Sequence, residues 1–313
     1  MAWSVGSAKL VPGARSYLER VLAAPQVWEV PLADARRGFE EEALELWGDL
    51  DAVAEIVDRD LDGIRVRVYR PVSDAALPAV VYLHGGGWVL GTVDSYDPFC
   101  RALAARAPAV VVSVDYRLAP EHPFPAAIDD AWAVTRWVAG HAADVGADPE
   151  RLVVAGDSAG GNLAAVVALR ARDGGLPLAL QALAYPVTDA DLDSSGYRRL
   201  GEGLNLTRAK MAWYWARYLG TADGADPHAS PLRADDLAGV APALVQTAEY
   251  DPLADEAAAY AQRLRAAGAR VTLTRYDGQL HGFLRLRRSC REQVDDAIAE
   301  IASAVRSARP APR

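Results

Sequence analysis

The sequence has little of what a nucleic-acid-binding or membrane-bound protein needs. Lysine occurs only at Lys9 and Lys210, the other basic residues are arginine, and the formal net charge is −9. No run of basic residues and no apolar run of membrane-spanning length interrupts the chain. A phosphate backbone or an anionic bilayer is therefore a poor partner, and we expect neither nucleic acid nor membrane as a partner. We read the shortage of lysine as genome bias rather than chemistry.

Cysteine is equally scarce. Cys100 and Cys290 stand far apart, with no CxxC pair and no metal-type spacing, which favours free thiols in a reducing compartment over a structural disulfide. The first residues include Arg15 and Arg20 but no apolar core ahead of a small-residue cleavage site. These features predict a soluble, cytoplasmic protein.

Apolar residues, in contrast, make up 51% of the 313 residues, enough for one large α/β domain with a modest addition. Two helical patterns, around Gly13–Ala24 and Leu32–Trp47, precede the first strand pattern. We predict that residues 1–50 form cap helices laid on a main α/β domain of residues 51–313. An ordinary N-terminal packing extension is the alternative.

Strand and helix patterns alternate from residue 64 onward. Ile64–Tyr69 alternates apolar and polar residues, as half-exposed antiparallel or edge strands do, whereas Ala79–Leu83 and Ala109–Val114 are continuous apolar runs typical of a parallel sheet. The alternation predicts an α/β fold with a mostly parallel, doubly wound sheet. Its later elements are the strands Leu152–Ala155, Leu178–Tyr185, Ala243–Thr247 and Val271–Tyr276 and the helices Gly161–Arg172, Asp255–Ala267 and Glu292–Val305.

One stretch, at about residues 187–241, interrupts this alternation. It contains an aromatic helix that includes Trp213 and Trp215, with Thr207 as its expected N-cap. An insert at the carboxyl end of a sheet strand is well placed to cover a site. We therefore predict that the insert is a second part of the cap.

A candidate nucleophile stands where a strand pattern changes into a helix pattern. Residues 152–161 read Leu-Val-Val-Ala-Gly-Asp-Ser-Ala-Gly-Gly, with Ser158 at the apex of the turn. Such a turn is crowded, so the positions two before and two after the serine, Gly156 and Gly160, must be nearly free of side chain. Taken alone the pattern is weak, because a glycine-rich turn that merely packs looks the same.

A glycine loop supplies candidate hydrogen-bond donors for an oxyanion. Residues 84–88 read His-Gly-Gly-Gly-Trp and directly follow the strand Ala79–Leu83. A flexible turn is one alternative, and a dinucleotide loop is disfavoured because no Gly-x-Gly-x-x-Gly is formed. The predicted donors of the oxyanion hole are the backbone N–H groups of Gly85, Gly86, Gly87 and Ala159.

The candidate acid and base follow later in the chain. Strand Ala243–Thr247 runs into a segment with three carboxylates, of which we favour Asp251 as the acid because it lies in the loop just beyond the strand. Asp255 falls at the start of the next helix and is more simply a helix cap. His281 follows the last predicted strand, and the other four histidines lack a comparable setting, so we predict that His281 is the base.

The order Ser158, Asp251, His281 is the order of the triad in α/β-hydrolases. Together with the glycine loop, the proline-rich segment 116–125 and the sequence His281-Gly282-Phe283, these motifs resemble the hormone-sensitive lipase family of bacterial esterases, bacterial family IV. The resemblance spans roughly residue 61 to the C-terminus, and the first 60 residues fit only that family's variable cap. Where many members carry arginine this chain has Ala254, which puts a salt bridge at that spot in doubt.

The resemblance implies an α/β-hydrolase fold and a serine carboxylesterase that hydrolyses short- to medium-chain esters through an acyl-enzyme. It implies a small-molecule ester as partner, no cofactor and no metal, and it raises a homodimer as the oligomeric state. An amidase or peptidase of the same fold would use the same triad. A non-catalytic small-molecule receptor is the alternative from another class, and the presence of His281 argues against it.

Three tryptophans are candidates for the wall of the substrate pocket. Trp88 lies beside the glycine loop, and Trp213 and Trp215 belong to the aromatic helix of the insert. Neighbours two apart on a helix face different directions, so we expect only one of Trp213 and Trp215 to line the pocket. The absence of a strongly apolar lid disfavours a lipase that acts at lipid interfaces.

Overall fold

The computed structural model describes residues 9–309. In this part of the chain the strands are β1 Glu55–Leu61, β2 Ile64–Arg70, β3 Leu77–Leu83, β4 Val110–Val114, β5 Ala147–Asp157, β6 Leu180–Ala184, β7 Ala243–Tyr250 and β8 Val271–Leu280. The helices are α1 Pro12–Ala23, α2 Leu32–Trp47, α3 Asp97–Arg106, α4 Ala126–Gly140, α5 Ala159–Asp173, α6 Ser195–Leu200, α7 Arg208–Leu219, α8 Ala254–Ala266 and α9 Arg291–Ser307.

All eight strands form one sheet in the order β1-β2-β4-β3-β5-β6-β7-β8. β2 is antiparallel to both of its neighbours. The other six strands, in the sheet order β4-β3-β5-β6-β7-β8, pair in parallel. The predicted mostly parallel α/β sheet is therefore confirmed. The carboxyl ends of β3, β5, β7 and β8 lie at the same edge, which brings the segments that follow them together.

The sheet is covered on both faces, as a parallel sheet requires. Successive residues of β3 alternate between the two apolar clusters: Val81 and Leu83 pack with residues of α4, α5 and α8, whereas Val80 and Tyr82 pack with residues of α3 and α9. All seven residues of β3 are buried. The central strand is therefore held rigidly, and the loop that follows it starts from a fixed point.

Strand β1 and helix α3 are among the elements that the sequence analysis missed. β1 pairs with β2 as a hairpin through Asp62 and Gly63, which both have positive φ (53° and 88°). An Asp-Gly pair between alternating residues is the usual sign of such a turn, so this strand could have been predicted. Helix α3 begins at Asp97 and has Pro98 in its first turn.

Helices α1 and α2 are fixed to the rest of the chain by specific contacts. The N–H of Val11 donates to the carbonyl of Gly278 at 3.1 Å, at the start of α1. The Arg36 guanidinium of α2 donates to the carbonyls of Val89 (2.9 Å) and Ala119 (3.0 Å) and pairs with Glu121. Both helices follow the predicted bounds closely, and α2 is tied to the loops beside the glycine loop.

The insert between β6 and β7 contains α6 and α7. Thr207 caps α7 as predicted, because its Oγ1 accepts a hydrogen bond from the N–H of Lys210 at 3.1 Å. Cys100 and Cys290 are buried free thiols. No helix within residues 9–309 is long and apolar enough to cross a membrane.

Substitution by alanine should change the free energy of unfolding in opposite directions at two glycines. At Gly160, in the first turn of α5, a Cβ would overlap the carbonyl oxygens of Leu83 and His84, and backbone atoms there have no room to move. We expect Gly160→Ala to lower the free energy of unfolding by about 1–3 kcal/mol or more. Gly38 is exposed within α2 and has no atom near its Cβ position. Gly38→Ala should therefore raise the free energy of unfolding by about 0.5–1 kcal/mol.

Urea unfolding of both variants beside the wild type measures these changes. Equal effects of the two substitutions would contradict the close approach of α5 to β3.

Candidate active site

Ser158 lies at the tight turn between β5 and α5. Its backbone has φ 55° and ψ −119°, a conformation that costs a non-glycine residue on the order of 1–3 kcal/mol. A Cβ at Gly156 would overlap the Gly160 carbonyl across the turn, and a Cβ at Gly160 would overlap the carbonyl oxygens of Leu83 and His84 at the end of β3. The positions two before and two after the serine therefore have no room for a side chain. The turn therefore projects the Ser158 hydroxyl away from the sheet.

His281 connects the serine to a buried carboxylate. Its Nε2 lies 2.8 Å from Ser158 Oγ, and its Nδ1 lies 2.8 Å from Asp251 Oδ2. Asp251 follows β7 directly and is fully buried, and its other oxygen accepts the N–H of Leu253 at 2.8 Å. The carbonyl of His281 accepts from the Asn205 side chain at 2.8 Å. Three residues from distant segments thus form one hydrogen-bonded chain.

Asp255 has a different role from the cap that the sequence suggested. Helix α8 begins at Ala254, and Asp255 lies in its first turn without capping the helix end. Its carboxylate pairs with Arg199 of α6 at 2.8 Å and accepts the Ser195 hydroxyl at 2.7 Å. A salt bridge is therefore present at this spot although Ala254 replaces the arginine common in the family, because the arginine comes from the insert.

The glycine loop corrects one predicted oxyanion donor. The N–H of Gly85 donates to Asp157 Oδ1 at 2.8 Å, so Gly85 is committed to that carboxylate. The described residues give no acceptor to the N–H groups of Gly86 and Gly87, whose φ values are 120° and 62°. The N–H of Ala159 is the first of α5, where no intrahelical acceptor exists. Gly86, Gly87 and Ala159 remain as candidate donors near Ser158.

Asp157 is a functional residue that the sequence analysis missed. Its buried carboxylate accepts the hydroxyls of Tyr82 and Tyr96, each at 2.9 Å, besides the N–H of Gly85. Burial raises the pKa of Asp157, and these three hydrogen bonds oppose the shift. An aspartate directly before the candidate nucleophile, at the end of an apolar strand, was the available signal. Asp157 holds the glycine loop beside the serine turn.

A cavity of about 90 Å³ opens at Ser158. Residues of α1, α2 and the insert contribute to its wall. Its wall comprises Tyr17, Phe39, Gly86, Gly87, Tyr96, Asp157, Ser158, Val187, Asn205, Leu206, Lys210, Met211, Tyr214, His281, Gly282 and Arg285.

The prediction that Trp88, Trp213 or Trp215 lines the pocket is wrong for this cavity. Trp88 is fully buried and stacks on Tyr218, with ring centroids 4.2 Å apart. The ring centroid of Trp215 lies 4.6 Å from that of Trp88. Trp213 is half-buried under the Arg217 guanidinium. The residues of α7 that line the cavity are Lys210, Met211 and Tyr214, and Tyr214 lies between the two expected tryptophans. Trp88, Trp215 and Tyr218, which we call the anchor cluster, attach α7 to the main body.

A larger cleft of about 660 Å³ lies at the opposite edge of the sheet, beside the amino ends of β6, β7 and β8. Its walls include Arg172 and Arg270 and contain none of the predicted site residues. Size is therefore not what identifies the site. Within residues 9–309 no group of three or more histidine, cysteine or acidic side chains could hold a metal ion.

Comparisons with known proteins show which proteins this chain is similar to. A family model described as alpha/beta hydrolase fold matches residues 80–285. Carboxylesterase NlhH of Mycobacterium tuberculosis is 50% identical over 230 residues, covering 72% of each chain. Ethyl acetate hydrolase of Pseudomonas putida is 39% identical over 313 residues, covering 95% of this chain and 98% of its own. The structure of the hyperthermophilic esterase of Pyrobaculum calidifontis matches with a TM-score of 0.90 at 41% identity, covering 95% of this chain and 98% of its own.

The chain therefore belongs to the α/β-hydrolase fold family. Within that family it falls in the hormone-sensitive-lipase-like group, bacterial family IV, as its motifs predicted, and it is a serine hydrolase enzyme.

The buried His84 makes the stability of the protein depend on pH. Its Nδ1 lies 2.9 Å from the Gly85 carbonyl, its ring stacks on Tyr116, and burial lowers its pKa from 6.5 to about 4. Between these values the unfolded chain binds a proton that the folded chain does not, so the free energy of unfolding falls as the pH falls. We expect this residue to account for a loss of about 3 kcal/mol between pH 7 and pH 4.

Urea unfolding of the wild type and His84→Asn at pH 7 and pH 4 isolates the effect. The carboxylates titrate in both proteins, so only the difference between them reports His84. Identical losses in the two proteins would show that His84 titrates normally.

Proposed function

We propose that the protein is a serine carboxylesterase that hydrolyses short- to medium-chain esters through an acyl-enzyme. The observation that carries the proposal is the hydrogen-bonded chain Ser158–His281–Asp251, with 2.8 Å at each step, facing the glycine loop inside a covered cavity. The carboxylesterase and ethyl acetate hydrolase among the relatives support ester hydrolysis as the reaction.

In the acylation step, His281 Nε2 removes the proton of Ser158 as Oγ attacks the ester carbonyl. Asp251 accepts the hydrogen bond from Nδ1, fixes the imidazole tautomer and stabilises the imidazolium that forms. His281 then passes the proton to the oxygen of the leaving alcohol. The second carboxylate oxygen of Asp251 is held by Leu253, so the carboxylate keeps one orientation throughout.

The negative charge on the tetrahedral intermediate is stabilised by backbone N–H groups. Gly86, Gly87 and Ala159 are the proposed donors, and each such donor typically contributes on the order of 3 kcal/mol to the transition state. Gly85 is excluded because its N–H already binds Asp157. Water then attacks the acyl-enzyme by the same route, with His281 as its base. No step in this sequence requires a metal or cofactor.

The cavity supports a preference for small acyl groups. Its volume of about 90 Å³ accommodates an acetyl or propionyl group, and Tyr214 and Met211 of α7 stand over it. We infer that α1, α2 and the insert together form the cap that sets this size.

Removal of either the nucleophile or the base should abolish activity to a similar extent. Because Ser158 and His281 act as a unit, Ser158→Ala and His281→Ala should each lower kcat by several orders of magnitude while the fold is preserved. Asp251→Asn should cost on the order of a thousandfold or more, since it favours the wrong imidazole tautomer. Steady-state hydrolysis of p-nitrophenyl acetate measures all three.

Asp255→Asn is the matched control, because its carboxylate binds Arg199 and lies outside the hydrogen-bonded chain. It should alter stability and leave kcat within a fewfold. An organophosphate should label Ser158 in the wild type, and an adduct on another serine would overturn the assignment.

A series of p-nitrophenyl esters of increasing acyl length should show a maximum and then a decline. Affinity should gain up to about 0.8 kcal/mol per buried methylene until the chain meets the aromatic wall. Tyr214→Ala should move the maximum to longer chains, because it removes the ring over the glycine loop. Trp213→Ala, which alters the outer side of α7, should leave it unchanged.

The measurement is kcat/KM for each ester with each of the three proteins. A wild type that prefers long-chain triglyceride emulsions would instead be an interfacial lipase.

A further inference from the structure

Two cationic side chains that the proposed mechanism does not use line the cavity at Ser158. They are Lys210, from the first turn of α7, and Arg285, four residues after His281. Within residues 9–309 neither has a carboxylate within 4 Å of its charged nitrogens. The chain thus presents two unpaired cations to a small, covered space.

Each of the two cations uses only some of its hydrogen-bond donors within the protein. Lys210 Nζ donates to the carbonyl of Asn205 at 3.2 Å, and an ammonium has three donors. Arg285 Nη2 donates to the carbonyl of Phe39 at 3.0 Å, and its guanidinium lies over the Phe39 ring, 3.6 Å from the centroid. Both heads are therefore oriented by the protein, with donors left for a ligand.

The nearby carboxylates are occupied by other partners. Asp157 accepts Tyr82, Tyr96 and Gly85, and Asp251 accepts His281 and Leu253. Glu42 of α2, whose negative charge raises the pKa of Lys210, forms a salt bridge with Arg20 at 2.7 Å. Burial lowers the pKa of Lys210, as expected for a cation without a counter-ion. An anionic ligand would offset this desolvation cost.

The position of the cations indicates which part of an ester they would meet. Asn205, which holds Lys210, also donates to the carbonyl of His281, and Arg285 follows His281 in the same turn. His281 delivers its proton to the leaving oxygen, so this side of the cavity is the side of the alcohol. The carbonyl oxygen points to the N–H groups of the glycine loop, so the acyl chain takes the remaining direction, away from His281.

We propose that Lys210 and Arg285 bind a free carboxylate on the alcohol portion of the ester, so that the preferred substrates are short-chain acyl esters of hydroxy acids. This inference rests on the proposed function and names its substrate class. A carboxylate held by charged donors is recognised more strongly than an uncharged carbonyl of the same shape.

The test compares two acetate esters of nearly the same shape, acetoxyacetate, which carries the carboxylate, and acetoxyacetone, which carries an uncharged methyl ketone in its place. In the wild type, kcat/KM should be at least about tenfold higher for acetoxyacetate. Lys210→Met should remove most of this preference while leaving acetoxyacetone hydrolysis within a fewfold, and Lys210→Arg should retain part of it. Lys9→Met, which removes the other lysine of the chain outside the cavity, should change neither rate.

Other outcomes overturn the proposal. An equal loss on both esters in Lys210→Met would mean that Lys210 only supports Asn205 and His281. No preference for acetoxyacetate in the wild type would leave the cations without a ligand role. A preference for monomethyl succinate over methyl levulinate, with none between the acetates, would place the carboxylate on the acyl side instead.

Two measurements separate this inference from the proposed function. Hydrolysis of neutral p-nitrophenyl acetate tests ester hydrolysis by itself. Calorimetric binding of acetoxyacetate and acetoxyacetone to Ser158→Ala tests recognition without turnover, and the anion should bind at least about tenfold more tightly. Arg285→Gln should weaken the same preference, which keeps the proposal testable if Lys210→Met does not fold.

Discussion

The carboxylate of Asp157 holds together the parts of the site that must be aligned for any chemistry at Ser158. It accepts hydrogen bonds from a tyrosine of β3, from Tyr96 ahead of α3 and from the glycine loop, and it is covalently next to the serine. A buried carboxylate that lost these donors would be left unsatisfied at high cost. Each donor is therefore held in place by the same group, and the distance between the serine turn and the glycine loop is set by it.

Helix α7 of the insert is attached to the main body by aromatic packing rather than by the residues that line the cavity. The anchor cluster of Trp88, Trp215 and Tyr218 buries one face of α7, which leaves Tyr214 and Lys210 to face Ser158. Stacked aromatic rings of this kind add about 0.5–1.5 kcal/mol per pair beyond the area that they bury. Helix α7 is therefore a fixed wall, and the size of the cavity follows from its side chains.

The fold and the three residues of the hydrogen-bonded chain could be predicted from the sequence, because both follow from the order of the strands and from the residues directly after each strand. Parallel strands place their following loops at one edge, so Ser158, Asp251 and His281 could be assigned from their positions after β5, β7 and β8. The face of α7 was not accessible in this way, since helical periodicity alone does not say which side meets the sheet. The commitment of Gly85 and the pairing of Asp255 with Arg199 also depend on contacts between distant segments.

The contact between Gly87 and the ring of Tyr214 makes the glycine loop and helix α7 depend on each other. A Cβ at position 87 would occupy the place of that ring, so the glycine is required by α7 as much as by the backbone turn. A chimera that grafts the insert of another hydrolase onto this chain would keep the serine, the base and the acid and still lose this fit. Recombination between such enzymes would therefore succeed at crossover points that carry the glycine loop and α7 from the same parent.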